Sequence, residues 1–241
     1  MRIIADTHTH TLASGHAFST INEMIQAAKD AHLELIAITE HAPTMPGSCH
    51  EFYFSNLKIV PRDRSGIDVL FGVELNIMDA EGHVDLPESI LKTMDIGIAS
   101  VHPPCFGKSL GIEKNTEAYL NAMKNPWINI MGHPVDGRFP VDMEELVKGA
   151  KREGVLLELN NTSLSPGSYR LNSWENALEM LKYCEKHGAM VSTGSDAHVD
   201  AQVGKFDCAS RIIEESHFPE ELVATTSLAK LKPYLNRYKK R

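Results

Sequence analysis

The chain has 241 residues, a net charge of -8, 42% hydrophobic and 23% charged residues, which excludes a disordered or collagen-like polymer and leaves enough apolar material for a substantial core. The acidic balance argues against duplex nucleic acid as a partner. No stretch approaches the roughly 18 consecutive apolar residues of a membrane-spanning helix.

Seven short runs rich in Ile, Val and Leu read as strands, over residues 2–6, 35–40, 68–76, 95–101, 128–132, 155–160 and 190–195. That composition belongs to strands buried on both faces of a parallel sheet. After the first, Thr20-x-x-Glu23 predicts a capped helix with Ile21, Met24, Ile25 and Ala28 on one face. Residues 42–66 carry Pro43, Pro46, Gly47, Pro61 and Gly66 around Phe52, Tyr53 and Phe54, and predict a long flap over one barrel end. Asp79-Ala80-Glu81-Gly82 predicts a hairpin turn into His83-Val84-Asp85-Leu86. Asp142 precedes Met143, Leu146, Val147 and Ala150, and Ser173 precedes Trp174, Ala177, Leu178 and Leu181, each stripe marking a further amphipathic helix. Trp127 and Trp174 read as core, and the basic end from Arg237 to Arg241 as a solvated tail. Dividing 241 residues by seven strands gives about 34 per unit, close to the roughly 30 or more of a βαβ repeat. The expectation is a single α/β domain over residues 1–241, a closed or nearly closed parallel barrel.

Four cysteines, Cys49, Cys105, Cys184 and Cys208, lie far apart with no C-x-x-C pair. Isolated thiols suit a reducing compartment. The first residues reach Asp6 before a signal-type apolar region could form, so a cytoplasmic protein is expected.

Histidine decides the functional reading, because metal-binding side chains recur where the apolar runs end. The first run leads into Asp6, His8 and His10, with His16 in the following loop; the second ends Thr39-Glu40-His41. Glu74 closes the third, His102 follows the fourth, His133 the fifth, and Asp196-x-His198 the last, while the sixth offers Glu158, Asn160 and Asn161. In a parallel barrel these ends meet on one face, where barrel active sites are assembled. Side chains two apart on a strand point the same way, so His8 and His10 can hold one ion. Asp6, ahead of the pair, reads as a supporting residue rather than a ligand. A lone strand-end histidine is usually a hydrogen-bonded structural group. Seven together, with two carboxylates, call for divalent cations.

These residues carry a resemblance. Asp6-x-His8-x-His10, His16, Ile38-Thr39-Glu40-His41, Gly72-x-Glu74, His102, Gly132-His133-Pro134 and Gly194-Ser195-Asp196-x-His198 resemble, in order and over essentially the full length, the PHP (polymerase and histidinol phosphatase) superfamily, in its branch of YcdX-like phosphatases. The resemblance implies a distorted (β/α)7 barrel (PHP fold) with three metal ions at the C-terminal end of the strands. It implies one ion on His8, His10, Glu74 and Asp196, a second on Glu74, His102 and His133, and a third on His16, His41 and His198. Glu40 stands where relatives often have Asp, and Pro134-Val135-Asp136 where Pro-Gly is common.

Three divalent ions against two carboxylates leave an excess of positive charge that wants an anion. Such a cluster lowers the pKa of a water toward about 7 and clamps phosphoryl oxygens. The expected activity is hydrolysis of small phosphate esters, with Glu74 and Asp196 as the central carboxylates. Zinc leads on imidazole count, and Mn or Fe fit the same donors. Lys58, Arg62 and His50 are candidates for phosphate recognition, by analogy with an Asn-x-x-x-x-Pro-Arg stretch in relatives. Cys105 reads as a small packed thiol rather than a ligand. Two rivals are metal-dependent hydrolysis of a non-phosphate substrate and a metal-binding regulatory protein without turnover.

Overall fold

The computed structural model describes residues 1–64 and 66–239. Seven parallel strands follow one another around a nearly closed barrel: β1 (Ala5–Thr9), β2 (Leu35–His41), β4 (Ile67–Asn76), β5 (Ile96–Ser100), β6 (Ile130–Met131), β7 (Leu156–Asn160) and β8 (Val191–Gly194). A two-residue strand, β3 (Asp63–Arg64), pairs antiparallel with the start of β4. The seam between β8 and β1 closes just above the strands, where Thr9 bridges Ala197 and the His10 N–H donates to the Ala197 carbonyl at 2.9 Å.

Helices cover the outside: α1 (Ile21–Asp30), α2 (Glu51–Asn56), α3 (Glu88–Leu91), α4 (Pro103–Phe106), α5 (Ile112–Ala122), α6 (Met143–Glu153), α7 (Asn161–Leu164), α8 (Ser173–His187), α9 (Asp207–Glu215) and α10 (Leu228–Leu231). The capping box predicted for α1 is present, Thr20 Oγ1 accepting from the Glu23 N–H while the Glu23 carboxylate accepts from the Thr20 N–H. Asp142 caps α6, its carboxylate accepting from the Glu145 N–H at 3.0 Å. The start of α8 differs from expectation. Asn172, in the left-handed conformation at φ 51°, holds the cap position and Ser173 is already the first helical residue. Asp79–Gly82 forms the expected turn, followed by a bridge between Ile77 and Val84. No helix among the described residues is long and apolar enough to cross a membrane.

Alternation along each strand separates two apolar clusters. Leu35, Ala37, Leu70, Ile96, Ile98, Ile130 and Leu156 fill the barrel's lower interior, while Ile36, Ile38, Val69, Phe71 and their neighbours pack outward against the helices. The C-terminal segment seals the lower end, Leu231 and Leu235 being completely buried against the interior cluster. The basic end is therefore less solvated than expected. Arg237 N–H donates to the Asp95 carbonyl at 3.1 Å and Tyr238 OH reaches Asp68 at 3.2 Å, whereas Lys240 and Arg241 lie outside the described residues. Trp127 and Trp174 flank the core half-buried; Trp127 Nε1 donates to Glu88 and Trp174 lies under the Arg211 guanidinium.

The segment expected as a flap is chiefly a crossover. Consecutive parallel strands require the chain to return to the barrel's lower end before the next can begin. After α2 it descends the outer wall, burying Phe54 and Leu57, and reaches the bottom at Arg62; only its first part, with Met45, borders the upper face.

Candidate metal centre and cleft

The polar strand ends converge as the alternation predicts. Glu74, completely buried, stands at the centre. Its Oε2 lies 2.7 Å from His41 Nδ1, 3.3 Å from His8 Nε2 and 3.5 Å from His10 Nε2, while Oε1 lies 3.0 Å from His133 Nε2 and 3.2 Å from His102 Nε2. Asp196 Oδ1 faces His10 Nε2 at 3.3 Å and His8 Nε2 at 3.7 Å. His16 and His198 come from loops and meet through their Nε2 atoms at 3.1 Å. Three groups of side chains bring their donor atoms within 4.8 Å of one another: His8, His10 and Glu74; His41, Glu74 and His102; and His10, His41 and His198.

Four of the imidazoles, His8, His10, His102 and His198, are turned inward by a partner behind them. His8 Nδ1–H donates to Glu158 Oε1 at 2.7 Å, and His102 Nδ1–H to Asn76 Oδ1 at 2.7 Å. Asn76 is itself clamped by Asp85, through its backbone N–H at 2.9 Å and its amide at 2.7 Å. Ser14 Oγ donates to Glu40 Oε2 at 2.6 Å, so it must accept from His10 Nδ1–H at 3.1 Å and from the His41 N–H at 3.0 Å. Glu40 is thus no ligand; it also takes the Thr11 hydroxyl and the Thr11 N–H, and holds the loop carrying Ser14. His198 Nδ1–H donates to the Asp196 carbonyl at 2.9 Å. These bonds leave the inward nitrogens as lone-pair donors.

The backbone is shaped for the same end. His133 and Asp196 adopt positive φ, 33° and 56°, which is uncommon for non-glycine residues, although His32, Asn172 and His217 share it away from the site. Asp6 accepts from the N–H groups of Ser195 and Gly204, both at 3.0 Å, and so ties down the turn that presents Asp196. Its burial pushes its carboxyl above the ordinary range. Gly132 and Gly194 have no room for a side chain: a Cβ would stand 2.1 Å from Ser100 Oγ, the donor to Glu74, or 2.3 Å from Glu158 Oε1.

Burial alone would raise Glu74, but the facing imidazoles of His102, His8 and His41 pull it well below the usual carboxylate range. Asp196 behaves likewise, lowered by His8, His10 and Arg170 against its burial. Burial depresses His10 strongly, aided by His41 and His198, and brings His102 down to about 4. Burial would also lower His8, yet Glu158, Glu74 and Asp196 together raise it well above an ordinary imidazole. Anionic carboxylates beside a neutral His10 and His102 are protonation states a cation requires, and His8, which its carboxylate neighbours favour as the cation, would give up its Nε2 proton to one.

The fit to metal is tested by the atoms left over. His8 Nε2, His10 Nε2, His41 Nδ1, His102 Nε2 and Glu74 Oε2 are buried with no hydrogen-bond partner. A native interior holds only a few such atoms, usually scattered like Ser173 Oγ and Ser192 Oγ, whereas these five point into a common space. The donor set fits divalent ions.

Residues 6–161 match the PHP domain. A probable phosphatase of Thermoanaerobacter sp. (strain X514) is 46% identical over 241 residues, covering all of this chain and 98% of the relative. The chain belongs to the PHP family. Another probable phosphatase, from Caldanaerobacter subterraneus subsp. tengcongensis, is 47% identical and is covered over 94% of its length. Among solved structures, the histidinol phosphate phosphatase HisK of Lactococcus lactis, complexed with zinc, L-histidinol and phosphate, superposes with TM-score 0.61 at 18% identity, over 89% of this chain and 94% of that one. At that identity the likeness speaks for the PHP barrel.

The phosphate candidates from the sequence are corrected by the fold. Arg62 lies at the wrong end of the barrel, where Nε donates to Asp95 at 2.9 Å, Nη1 caps the Leu57 and Val60 carbonyls, and the guanidinium covers Phe71. Lys58 is exposed on the descending crossover, and His50 is exposed and caps α2 through its Nδ1. None of the three lines the cleft above the metal centre. That cleft, about 310 Å³, has Arg138 and Arg170 in its wall instead, with Met45, Pro103, Pro104 and Tyr169. Arg170 is buried, its Nη1 donating to Ser163 Oγ at 2.9 Å and Asp196 Oδ2 at 3.3 Å. Arg138 is braced on Asp136 and, like Arg170, packs on the Tyr169 ring. Lone arginines in loops have no motif to single them out. Glu158 was visible as a strand-end acid, but its bond to His8 spans 150 positions.

Proposed function

We propose that the chain, a phosphate-ester hydrolase of the PHP family, acts on small phosphomonoesters at a site for three divalent ions, with zinc foremost and manganese or iron as alternatives. The carrying observation is the set of unpartnered, buried atoms on His8, His10, His41, His102 and Glu74. His8, His10, Glu74 and Asp196 would hold one ion, Glu74, His102 and His133 a second, and His16, His41 and His198 a third. His41 also lies close enough to Glu74 to serve the second. Bound ions would supply an ionised water near neutral pH and positive charge for phosphoryl oxygens. Glu74 and Asp196 act as anchors that stay anionic.

The chain's own cleft residues bind and orient the ester. Arg170, already aligned by Ser163 and Asp196, and Arg138, braced by Asp136, present guanidinium donors to phosphoryl oxygens. Met45, Pro103 and Pro104 form an apolar wall beside them, which limits water at the reacting end. Four free cysteines suit a cytoplasmic setting, and residues 1–241 act as a single barrel domain.

The test is a panel of phosphorylated metabolites assayed with metal-analysed protein. Turnover of phosphomonoesters is expected. Inactivity across the panel, with metals in place, would overturn the proposal in favour of a metal-binding regulatory protein.

A further inference from the structure

Among the ligand imidazoles, the groups behind them differ in charge. His102 is backed by a neutral amide, His10 by a hydroxyl and His198 by a backbone carbonyl. His8 is backed by a carboxylate, Glu158, at 2.7 Å. That carboxylate is completely buried and has no Lys or Arg ion-pair partner among the described residues; its nearest cationic candidate is His8 itself. It does more than hold one ring. Oε2 accepts from the His133 N–H at 2.8 Å, and so supports the left-handed backbone at that residue. It also accepts from Asn160 Nδ2 at 3.2 Å, and the same amide group reaches Asp196 Oδ2 at 3.2 Å. Space for it is reserved on the neighbouring strand, since any side chain at position 194 would overlap Oε1. One buried acid, on the strand that supplies no ligand, therefore touches or braces ligands from β1, from the loop after β6 and from the loop after β8.

We infer that Glu158 is a positioning residue for the metal centre, which fixes His8 and His133 together and strengthens His8 as a donor, so that the ion on His8 is the most tightly held. A carboxylate accepting the Nδ1 proton draws it partly away from the ring and makes Nε2 a better donor than an amide or hydroxyl does. The energetic origin is the burial of Glu158: a buried carboxylate without a full counter-charge is costly. A cation on the far side of His8 relieves it.

The inference rests on the metal-dependent reading above, and two measurements separate their failures. Wild type, Glu158→Gln and Glu158→Asp would be stripped, reloaded with zinc, and followed by chelator competition and elemental analysis, with thermal unfolding of each apoprotein alongside. Glu158→Gln is expected to lose affinity for one ion by about 10- to 100-fold, with slower loss at the others, while its apoprotein melts no lower than wild type. Glu158→Asp keeps the charge but is one methylene too short to reach both His8 and His133, and is expected to fall between the two. An apoprotein of Glu158→Gln that melts clearly lower while all ions bind as in wild type would make Glu158 a structural acid and overturn the inference. Failure of both variants to fold would overturn it in the same sense. Wild-type protein that binds no zinc would instead sink the metal-dependent reading itself.

Discussion

The two ends of the barrel both bury polar groups, and they treat them in opposite ways. At the lower end, Asp95 is spent on Arg62 and the Phe71 N–H, while Asn129 accepts from the Gly97 N–H and donates to Tyr234 and Asn236. Leu231 and Leu235 close over them. At the upper end, histidines and Glu74 are just as deeply buried, but five of their inward atoms have no hydrogen-bond partner. Satisfied polar groups hold a fold together; unsatisfied ones, kept in place by a second layer of bonds, hold room for something else. Burial of charge does not by itself mark a site, whereas several unpartnered atoms converging on one space do.

The comparison predicts that upper-end changes cost activity and lower-end changes cost stability. The largest effect belongs to Glu74→Gln, which keeps the shape but removes the charge shared by five imidazoles. Loss of more than one bound ion and a fall in kcat of about 100-fold or more are expected, read by elemental analysis and steady-state kinetics. Arg170→Met should raise KM for a phosphomonoester by about 10- to 100-fold, the size of a charge-assisted hydrogen bond of roughly 1.5–3 kcal/mol. An unchanged KM would remove Arg170 from the phosphate site. Leu235→Ala, at the lower end, should cost about 2–5 kcal/mol in denaturant unfolding while turnover per folded molecule stays the same.

Acidity offers a subtler test on the metal-free protein. Burial holds His102 near about 4, so between an unfolded imidazole's value near 6.5 and that point the unfolded chain binds a proton that the folded one refuses. Stability from this group is complete above pH 6.5 and falls as the pH drops toward 4. His10 and His16, both lowered by burial, add to the trend; His8, raised, opposes it with one group against three. Melting temperature of the apoprotein should decline from pH 7 to 4.5, and a flat profile would contradict the protonation states assigned to the centre. The smallest effect is expected for Lys58→Ala. Exposed on the descending crossover, it should leave kcat/KM within about twofold, where a phosphate contact would cost tenfold or more.

The nine proposed ligands were legible in the sequence because strand periodicity and a parallel barrel together force C-terminal strand ends onto one face. His8 and His10 needed no more than alternation. What could not be read were pairings between distant positions: Ser14 with Glu40, Asn76 with Asp85, Glu158 with His8. Nothing local marks these residues, since a serine or asparagine near a strand end is ordinary. Arg62 was misassigned for a geometric reason. The analogy with an Asn-x-x-x-x-Pro-Arg stretch and a flap expected over the barrel end put it beside the phosphate, but a residue five positions before Ile67 has already reached the far end. Six of the seven strands emerged at close to their true places; the first, expected over 2–6, lies three residues later at Ala5–Thr9, and β6 proved only two residues long. There the Asn129 side chain takes over a ladder bond that backbone would have made.

The most direct measurement is a metal titration of stripped protein with activity recorded at each addition. If the unpartnered atoms at the upper end hold the ions, the stripped chain is inactive toward a phosphomonoester and activity rises to a plateau at about three divalent ions per chain. Full activity from thoroughly stripped protein, or a plateau at one ion, would contradict the account.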